Sequence, residues 1–257
     1  MQPKIIHLRK IKVAAVSYLN TKPLLYGITH HKVSEQIELV KDYPAKIAQM
    51  LIDNDVDLGL VPVTVISEIP QPVIVTDFCI GCDGAVASVC LFSDVPMKQI
   101  EQVYLDYQSR TSSALARILL KEHWKKNVEF IESANEDFRM EIKGTTAAVI
   151  IGDRALEQRQ KSKFIYDLGE AWKNHTGLPF VFAAWIGNKQ LPLEFVTAFN
   201  EANAFGLKHL DEVIADTPDS PFDLKRYYTQ CISYDLTDRK KNAMDLFLTK
   251  SREDYLT

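Results

Sequence analysis

The sequence predicts an α/β protein, and two observations lead to this prediction. Short apolar runs alternate along the chain with stretches whose apolar residues recur at helical spacing, a pattern typical of mostly parallel sheets flanked by helices. Polar turns follow several of the apolar runs, and ligands of such sheets bind beyond the carboxyl ends of the strands. Because these turns come from both halves of the chain, we expect a ligand cleft between two lobes.

Length and composition are those of an ordinary globular protein. The chain has 257 residues, of which 46% are hydrophobic and 25% charged, so it can bury a substantial core. A net charge of -4 and a pI near 5.9 argue against a broad nucleic-acid-binding surface. No apolar run approaches the roughly 20 residues that span a membrane, and residues 1–10 lack the apolar segment of a signal peptide. We therefore expect a cytoplasmic protein with a small-molecule ligand and no nucleic-acid or membrane partner; the oligomeric state is left open.

In the first half of the chain, strands and helices are predicted in turn. The predicted strands are 11–16, 37–40, 57–61, 73–75 and 85–92, the last two flanking a turn at Gly81–Gly84. One helix is expected to begin at Thr21 to Pro23, because proline suits a first helical turn. A second covers Pro44–Ile52, where apolar residues recur at helical spacing.

The second half repeats this scheme. Its predicted strands are 103–105, 128–131, 147–151, 164–168 and 180–186. Its predicted helices are 112–124, 154–160, 193–210 and a stretch from Pro221 to near the end of the chain. A polar Gly152-Asp153 step lies between one strand and the helix that follows it.

The turn Ser109-Arg110-Thr111-Ser112 is the strongest indication of a ligand site. It lies between a predicted strand and a predicted helix, so a guanidinium, several hydroxyls and a helix N-terminus meet there. Such a turn can bind a carboxylate or a phosphate. The alternative is that Thr111 or Ser112 only caps the helix. Arg110 either reaches the anion, supports the turn from behind, faces the surface or pairs with an acid such as Asp106.

The four cysteines are not expected to form a metal or redox site. Cys79 and Cys82 have C-x-x-C spacing, but no second pair or nearby histidine completes a zinc site. Gly81 and Gly84 lead into another apolar run, whereas a redox motif of this kind opens a helix. Disulfides are not expected in a reducing compartment.

Five segments, in order between residue 11 and about residue 187, resemble motifs of the chorismate dehydratases of the futalosine route to menaquinone. They are Ser17-Tyr18-Leu19-Asn20 with Pro23 (S-Y-L-N-x-x-P), Ser109-Arg110-Thr111-Ser112 (S-R-T-S), Ile151-Gly152-Asp153 with Ala155-Leu156 (I-G-D-x-A-L), Asp167-Leu168-Gly169 with Trp172 (D-L-G-x-x-W), and Thr176-Gly177-Leu178-Pro179 with Phe180-Val181 (T-G-L-P-F-V). Relatives carry small polar residues where Cys79 and Cys82 stand, and a thiol fills that space but hydrogen-bonds weakly. No role is therefore predicted for these two side chains.

The resemblance implies the two-lobed fold of type 2 periplasmic solute-binding proteins, with mixed sheets flanked by helices and a cleft between the lobes. In that fold the chain crosses between lobes twice, and we place the crossings near Leu91–Ser93 and Ala183–Trp185. Residues 1–91 and 186–257 would then form one lobe, and residues 92–185 the other.

The activity implied by the resemblance is loss of water from chorismate to give 3-[(1-carboxyvinyl)oxy]benzoate in menaquinone biosynthesis. This is a carbon–oxygen lyase reaction, a hydro-lyase that needs no cofactor or metal, because aromatisation drives it. Two alternatives are the 1,4-dihydroxy-6-naphthoate synthase of the same pathway and a non-catalytic small-carboxylate-binding protein.

The resemblance also assigns roles to particular residues. Hydrogen-bond donors of the Ser109–Ser112 turn would stabilise negative charge on the ring carboxylate. Ser17 and Asn20 would contact the second carboxylate or the leaving hydroxyl, with a helix cap as the alternative for Asn20. The base is Asp153, His175 or the enolpyruvyl carboxylate of the substrate, and we favour the last.

Further residues are predicted to line the cleft. Gly81 and Gly84 would let backbone N–H groups approach the ligand, or would simply form a turn. Three aromatic residues either line the ring pocket or pack in the core. The complete set for the cleft walls is Tyr18, Gly81, Gly84, Gly152, Trp172, Thr176, Gly177 and Phe180.

Overall fold

A computed structural model describes residues 9–218, 220 and 222–255, so the predictions for residues 1–8 and for Pro221 lie outside the described residues. The strands are β1 (Ile11–Val16), β2 (Ile37–Asp42), β3 (Leu58–Pro62), β4 (Val73–Cys82), β5 (Val89–Ser93), β6 (Gln102–Leu105), β7 (Glu129–Glu132), β8 (Thr146–Ile151), β9 (Phe164–Asp167), β10 (Phe180–Gly187) and β11 (Ser233–Asp235). The helices are α1 (Lys22–His30), α2 (Pro44–Ile52), α3 (Arg110–Glu122), α4 (Asp153–Gln158), α5 (Leu168–Thr176), α6 (Leu193–Lys208), α7 (Leu210–Ala215), α8 (Leu224–Arg226) and α9 (Asp238–Tyr255).

The strands form two mixed sheets flanked by helices, which confirms the predicted fold class. The first sheet has the order β11-β4-β10-β3-β1-β2, and the second has the order β7-β6-β8-β5-β9. Parallel pairing is confined to β1 with β2 and β3, and to β6 with β7 and β8. The expectation of mostly parallel sheets, drawn from alternation alone, is wrong because β4, β5 and β10 pair antiparallel with their neighbours.

The chain passes from the first sheet to the second between β4 and β5, and returns between β9 and β10. The predicted lobe boundaries, after residue 91 and before residue 186, fall inside β5 and β10. Each of these strands pairs within a single sheet, so we propose that the boundaries of the two lobes lie in the connections at 83–88 and 177–179. Gly84 and Gly177 lie in these connections, and both have positive φ.

The first of these connections is fixed by a buried carboxylate. Asp167 caps α5 by accepting from the N–H groups of Gly169 and Glu170. It also accepts from the backbone N–H groups of Val86 and Ala87, at 3.0 and 2.7 Å. The predicted strand 85–92 therefore begins only at Val89, because the preceding residues bind Asp167 instead of a strand.

Three predictions about helices need correction. The helix predicted at 193–210 ends at Lys208 and is followed by the separate α7. Helix α5 was not expected: Leu168, Ala171 and Trp172 have helical spacing, but Leu168 was assigned to the preceding strand. The chain beyond 221 is not helical throughout, because β11 pairs with β4 before α9 begins.

The buried ammonium of Lys240 holds this end of the chain in place. Its Nζ donates to the carbonyl groups of Ser233 and Asp235 and to the Ser233 hydroxyl. It therefore joins α9 to β11, the edge strand of the first sheet. Most of the apolar side chains buried by both sheets belong to one continuous core, with a smaller cluster around Phe92 and Phe138. None of the helices in the described ranges is long and apolar enough to span a bilayer.

Candidate functional site

A cavity lies between the two sheets, at the carboxyl ends of β1, β3, β6 and β8. Its polar lining residues are Tyr18, Asn20, Thr21, Ser88, Ser109 and Ser112. Most of its remaining wall is apolar, with Leu60, Ile151 and Phe182 among the lining residues. Within the described part of the chain, no Asp, Glu, Lys, Arg or His lines this cavity. It is therefore an apolar pocket with a few convergent hydroxyl and amide groups, the usual character of a small-molecule site.

The N-terminus of α3 forms one wall of the cavity. Ser109 is the N-cap residue, and its Oγ accepts from Ser112 N at 3.1 Å, so the predicted cap at Thr111 or Ser112 is displaced to Ser109. The two serine hydroxyls also bond to each other at 2.8 Å. Both serines are buried and line the cavity. The first-turn N–H groups of a helix lack partners within the helix and favour an anion, so this wall suits a carboxylate.

Arg110 and Thr111 point away from the cavity. The Arg110 guanidinium donates to both carboxylate oxygens of Glu68, at 2.7 and 2.8 Å, and both side chains are more than 40% exposed. The Thr111 hydroxyl lies 3.2 Å from that of Thr64. Glu68 and Thr64 follow β3 of the first sheet, so these two residues of the turn join the two sheets instead of lining the cavity.

Asp106 fixes the position of the α3 N-terminus. Its buried carboxylate accepts from Gln108 N at 3.0 Å and Ile151 N at 3.1 Å, and from Arg154 Nη2 at 2.8 and 3.0 Å. Burial raises the pKa of Asp106, and the Arg154 guanidinium opposes that rise. The Asp106 carboxylate thus ties the end of β6 to the end of β8. Of the alternatives left open for Arg110, pairing with Asp106 does not occur, because Arg154 takes that place, and Arg110 instead pairs with Glu68 near the surface.

Tyr18 covers the cavity from the first sheet. Its hydroxyl donates to Gln108 Oε1, and burial raises its pKa. Its ring packs over Gly152, where an added Cβ would lie 3.1 Å from the ring. Gly152 also has φ +65°, so glycine is required both for the backbone conformation and for the aromatic contact. Both residues line the cavity.

Asn20 also lines the cavity. Its Oδ1 accepts from the Thr21 hydroxyl at 3.1 Å, and its carbonyl accepts from the Tyr234 hydroxyl at 2.9 Å. Thr21, not Asn20, is the N-cap residue of α1. Asn20 is therefore fixed at its backbone, and its amide borders the cavity. Ser17 is exposed, borders a different surface pocket with Lys22 and Lys41, and is not among the lining residues of the cavity. Its role at the substrate stays a prediction.

Ser88 belongs to the cavity but was not predicted. It lies just before β5, is fully buried, and its hydroxyl has no hydrogen-bond partner among the described residues. Its carbonyl accepts from Gly152 N at 2.8 Å, which keeps it beside the end of β8. The sequence did contain one indication of this residue, because Ser88 carries the single hydroxyl in the apolar run 85–92. Unpartnered buried hydroxyls are rare, and this one borders the cavity.

Asp153 lies next to the cavity but is not among its lining residues. Its Oδ1 accepts from Leu19 N at 2.9 Å, which joins the N-terminus of α4 to the turn after β1. Burial raises the pKa of Asp153, and the Leu19 N–H opposes that rise. One oxygen of this candidate base is therefore engaged in holding the two sheets together.

The second candidate base, His175, lies away from the cavity. Its Nε2 is 3.1 Å from Glu122, which also accepts from Lys250 at 2.6 Å. The neighbouring Thr176 and Gly177 form the C-terminus of α5: the Thr176 hydroxyl donates to the Trp172 carbonyl, and Gly177 has φ +74°. These groups end a helix and are not among the lining residues of the cavity, so their contact with a ligand stays a prediction.

Other predicted wall residues also pack elsewhere. Trp172 is fully buried, donates to the Pro179 carbonyl at 3.0 Å and packs edge-on against Phe180. Gly81 lies inside β4, where a Cβ would lie 2.6 Å from the Phe180 carbonyl. Gly84 lies in the connection after β4, outside the lining. Trp172 and Phe180 thus pack in the core, which was the alternative to lining the ring pocket. Gly81 and Gly84 have a role in the backbone conformation.

The cysteines are buried and free. Cys79 receives a weak contact from Lys240 Nζ at 3.7 Å, and burial raises its pKa to about 11. Cys82 lies against Gly169, where an added Cβ would be 2.6 Å from its sulfur. In the described ranges, no three His, Cys, Asp or Glu residues are grouped so that they could hold a metal ion.

Comparison with solved structures defines the class of protein. The chain is similar to protein AF1704 from Archaeoglobus fulgidus, with a TM-score of 0.75, 15% identity, and coverage of 98% of this chain and 100% of the other. It is also similar to the aliphatic sulphonate binding protein SsuA from Escherichia coli, with a TM-score of 0.65, 10% identity, and coverage of 97% and 89%. A Candida albicans gene product described as having the generic periplasmic binding protein fold has a TM-score of 0.64, 14% identity, and coverage of 95% and 90%. The chain therefore has the periplasmic-binding-protein fold, with its cavity between the two sheets.

Comparison of sequences gives the family. The model of a menaquinone biosynthesis family matches residues 11–253, so the chain belongs to that family. A curated relative from Thermus thermophilus, named chorismate dehydratase, is 29% identical over 218 residues. That match covers 76% of this chain and 77% of the relative.

Proposed function

We propose that this protein is a chorismate dehydratase that eliminates water from chorismate to give 3-[(1-carboxyvinyl)oxy]benzoate. The observation that carries the proposal is the cavity itself, which is mostly apolar and is lined by both Asn20 and the N-terminus of α3. The name of the Thermus thermophilus relative supports the choice of substrate. The carbon that loses its proton and the carbon that loses its hydroxyl are neighbours, and the ring becomes aromatic when water leaves.

The ring carboxylate binds at the N-terminus of α3. It is conjugated through a double bond to the carbon that loses the proton, so negative charge spreads onto it during the reaction. Ser109, Ser112 and the first-turn N–H groups of α3 stabilise that charge. Because no side-chain cation lines the cavity in the described residues, these neutral donors carry the task.

The base is the enolpyruvyl carboxylate of the substrate. Asp153 already accepts from Leu19 N, and His175 is held by Glu122 away from the cavity. A carboxylate within the substrate lies close to the proton to be lost, so the protein needs only to orient it. The proton moves from the ring carbon to that carboxylate and the C–O bond breaks. The departing hydroxide takes up this same proton, so water leaves and the carboxylate is regenerated. Asn20 and Ser88 also line the cavity. We assign them to the leaving hydroxyl and the second carboxylate.

The α3 wall is tested by the paired variants Ser112→Ala and Ser113→Ala. Ser112 lines the cavity, whereas Ser113, the next residue of the same turn, borders a different surface pocket. Loss of one donor from such a site lowers turnover about 100-fold. We therefore expect Ser112→Ala to lose about that much in kcat/KM for the aromatic product, and Ser113→Ala to stay near wild type. Equal activity of the two variants would remove α3 from the mechanism.

A further inference from the structure

Thr21 is buried at the edge of the cavity, where its hydroxyl does not do what its place in the helix would suggest. It is 1% exposed, lines the cavity, and is the N-cap residue of α1. The hydroxyl of an N-cap threonine ordinarily accepts from the backbone N–H of the second or third helical residue. The second residue of α1 is Pro23, which has no N–H, and the Thr21 hydroxyl makes no capping bond. This buried hydroxyl is therefore free for another task.

The Thr21 hydroxyl donates instead to the side chain of Asn20. The bond joins Thr21 Oγ1 to Asn20 Oδ1 at 3.1 Å. The backbone around this pair is also fixed, since Thr21 N donates to the Tyr18 carbonyl at 3.0 Å and Tyr234 donates to the Asn20 carbonyl at 2.9 Å. A carboxamide has one acceptor atom and one donor group. Because Thr21 occupies Oδ1, the Nδ2 group of Asn20 is the one left for a ligand of the cavity.

We propose that Thr21 is a positioning residue for the elimination, acting through Asn20. Its hydroxyl keeps the Asn20 amide turned so that Nδ2, and not Oδ1, meets the departing hydroxyl of the substrate. That oxygen gains negative charge as the C–O bond breaks, so a donor stabilises the transition state more than the bound substrate. Without the bond from Thr21 the amide can turn over and present Oδ1, which repels the same oxygen. This inference rests on the proposed function, because it names the residue that orients one of its donors.

Substitutions at Thr21 and Thr29 separate this role from a structural one. Thr21→Val removes the hydroxyl at nearly constant size and shape, and it costs α1 no capping bond. Thr21→Ser keeps the hydroxyl and removes only the methyl group. Thr29 is the matched control on the same helix, because its hydroxyl donates to the Leu25 carbonyl at 2.8 Å and it is not among the residues that line the cavity. Thr29→Val therefore removes a threonine hydroxyl and its hydrogen bond from α1 without changing the cavity.

The test measures kcat and KM with chorismate for wild type, Thr21→Val, Thr21→Ser, Thr29→Val, Asn20→Ala and the double variant Asn20→Ala/Thr21→Val. Thermal unfolding in parallel shows that each variant is folded. The net contribution of one hydrogen bond corresponds to a change of about 2- to 13-fold in rate. We expect Thr21→Val to lose that much in kcat with an unchanged KM, Thr21→Ser to be faster than Thr21→Val, and Thr29→Val to match wild type. The double variant should be no slower than Asn20→Ala alone, because Thr21 acts only through Asn20.

Other outcomes overturn the inference. If Thr21→Val turns over like wild type, or if the losses of the two single variants multiply in the double variant, Thr21 does not orient Asn20. A Thr21→Ser variant as slow as Thr21→Val would assign the loss to the methyl group, and a rise in KM with an unchanged kcat would assign Thr21 to binding alone. If wild type itself forms no aromatic product, the proposed function fails and this role fails with it. An active wild type with any of the earlier results overturns the positioning role alone.

Discussion

Ser109 and Arg110 are neighbours in the sequence but serve different parts of the molecule. The Ser109 hydroxyl caps α3 inside the cavity, whereas the Arg110 guanidinium leaves it for Glu68 at the surface. The first turn of a helix spreads consecutive side chains around its axis, so one motif can supply both a binding wall and a contact between the sheets. A sequence motif therefore shows that this turn matters, but not which side chain meets the ligand.

At Asp153, substitution with asparagine separates a catalytic base from a structural acceptor. The amide oxygen of Asp153→Asn can still accept from Leu19 N, which is the bond the structure shows. We expect turnover to fall by no more than about 13-fold, because one net hydrogen bond of about 0.5–1.5 kcal/mol bounds the loss. Steady-state kinetics with chorismate checks this. Loss of turnover with binding intact would make Asp153 the base.

Comparison of wild type with Asp153→Asn also gives a prediction about the pH dependence of stability. Burial raises the pKa of Asp153 above its ordinary value of 3.8, so the folded chain holds this proton more tightly than the unfolded chain. The stability from Asp153 is complete below the ordinary value and is lost as pH rises through the raised one. The melting temperature of wild type relative to Asp153→Asn should therefore fall as pH rises across that window. If the melting temperature of wild type instead rose relative to that of Asp153→Asn as pH increases, the raised pKa of Asp153 would be contradicted.

Gly152→Ala is expected to damage the site as well as the fold. Its positive φ imposes strain of about 1–3 kcal/mol on any other residue, and the new methyl would also press on the Tyr18 ring. Gly144→Ala is the matched control, since Gly144 has φ +57° but nothing within 4 Å of an added Cβ. Thermal unfolding should show a loss for both variants, and product formation a loss only for Gly152→Ala. Full activity in Gly152→Ala would show that the Tyr18 contact is dispensable.

At the scale of elements, the capping of α5 controls the cavity from a distance. Asp167 accepts from two N–H groups of its own helix and from two in the connection that leads to Ser88. Asp167-Leu168-Gly169 resembles a family motif, and its structural role lies in the bonds from Val86 N and Ala87 N to Asp167. A sequence alone does not show such long-range bonds.

Asp167→Ala should therefore lower the free energy of unfolding by more than the loss of a helix cap alone would. It should also lower turnover. Loss of a cap alone costs about 0.5–2 kcal/mol, and two further buried N–H groups lose their acceptor. Asn135→Ala removes an exposed cap that accepts from Asp137 N, and it should cost less than about 1 kcal/mol with activity unchanged. Denaturant unfolding with a parallel turnover assay compares them. Equal costs would show that the connection does not depend on Asp167.

Most regular elements could be predicted from the sequence because their apolar residues recur with a clear period. Helix α2 was predicted at Pro44–Ile52 and occurs there, and β1 likewise at 11–16. Strand β11 was missed because its three residues are stabilised by pairing with β4, some 150 residues earlier in the chain. Ser88 was missed for a related reason: its run looked like a strand, and the contact that bends it comes from Asp167.

At the scale of the whole molecule, four contacts join the two sheets around the cavity. Tyr18 bonds to Gln108 and Leu19 to Asp153 on one side, and Thr64 meets Thr111 and Glu68 meets Arg110 on the other. The motifs S-Y-L-N, S-R-T-S and I-G-D thus supply these contacts as well as the cavity wall. The residues that join the two sheets hold the residues that line the cavity close to one another.

Arg110→Ala is expected to leave the site working. An exposed ion pair contributes about 0–1 kcal/mol, so we expect a small loss of stability and a KM for chorismate close to that of wild type. Glu68→Gln breaks the same pair while keeping the cation, and it should behave alike. A large rise in KM for Arg110→Ala but not for Glu68→Gln would mean that Arg110 reaches the substrate.

The most direct test of the account is the identity of the product that purified protein forms from chorismate. Mass spectrometry should show chorismate replaced by a compound lighter by one water, with the ultraviolet spectrum of a substituted benzoate. The rate of its formation should fall with Ser112→Ala and not with Ser113→Ala. Chorismate that stays unchanged with active-site residues intact, across several buffer conditions, would contradict the assignment of this cavity to a dehydratase.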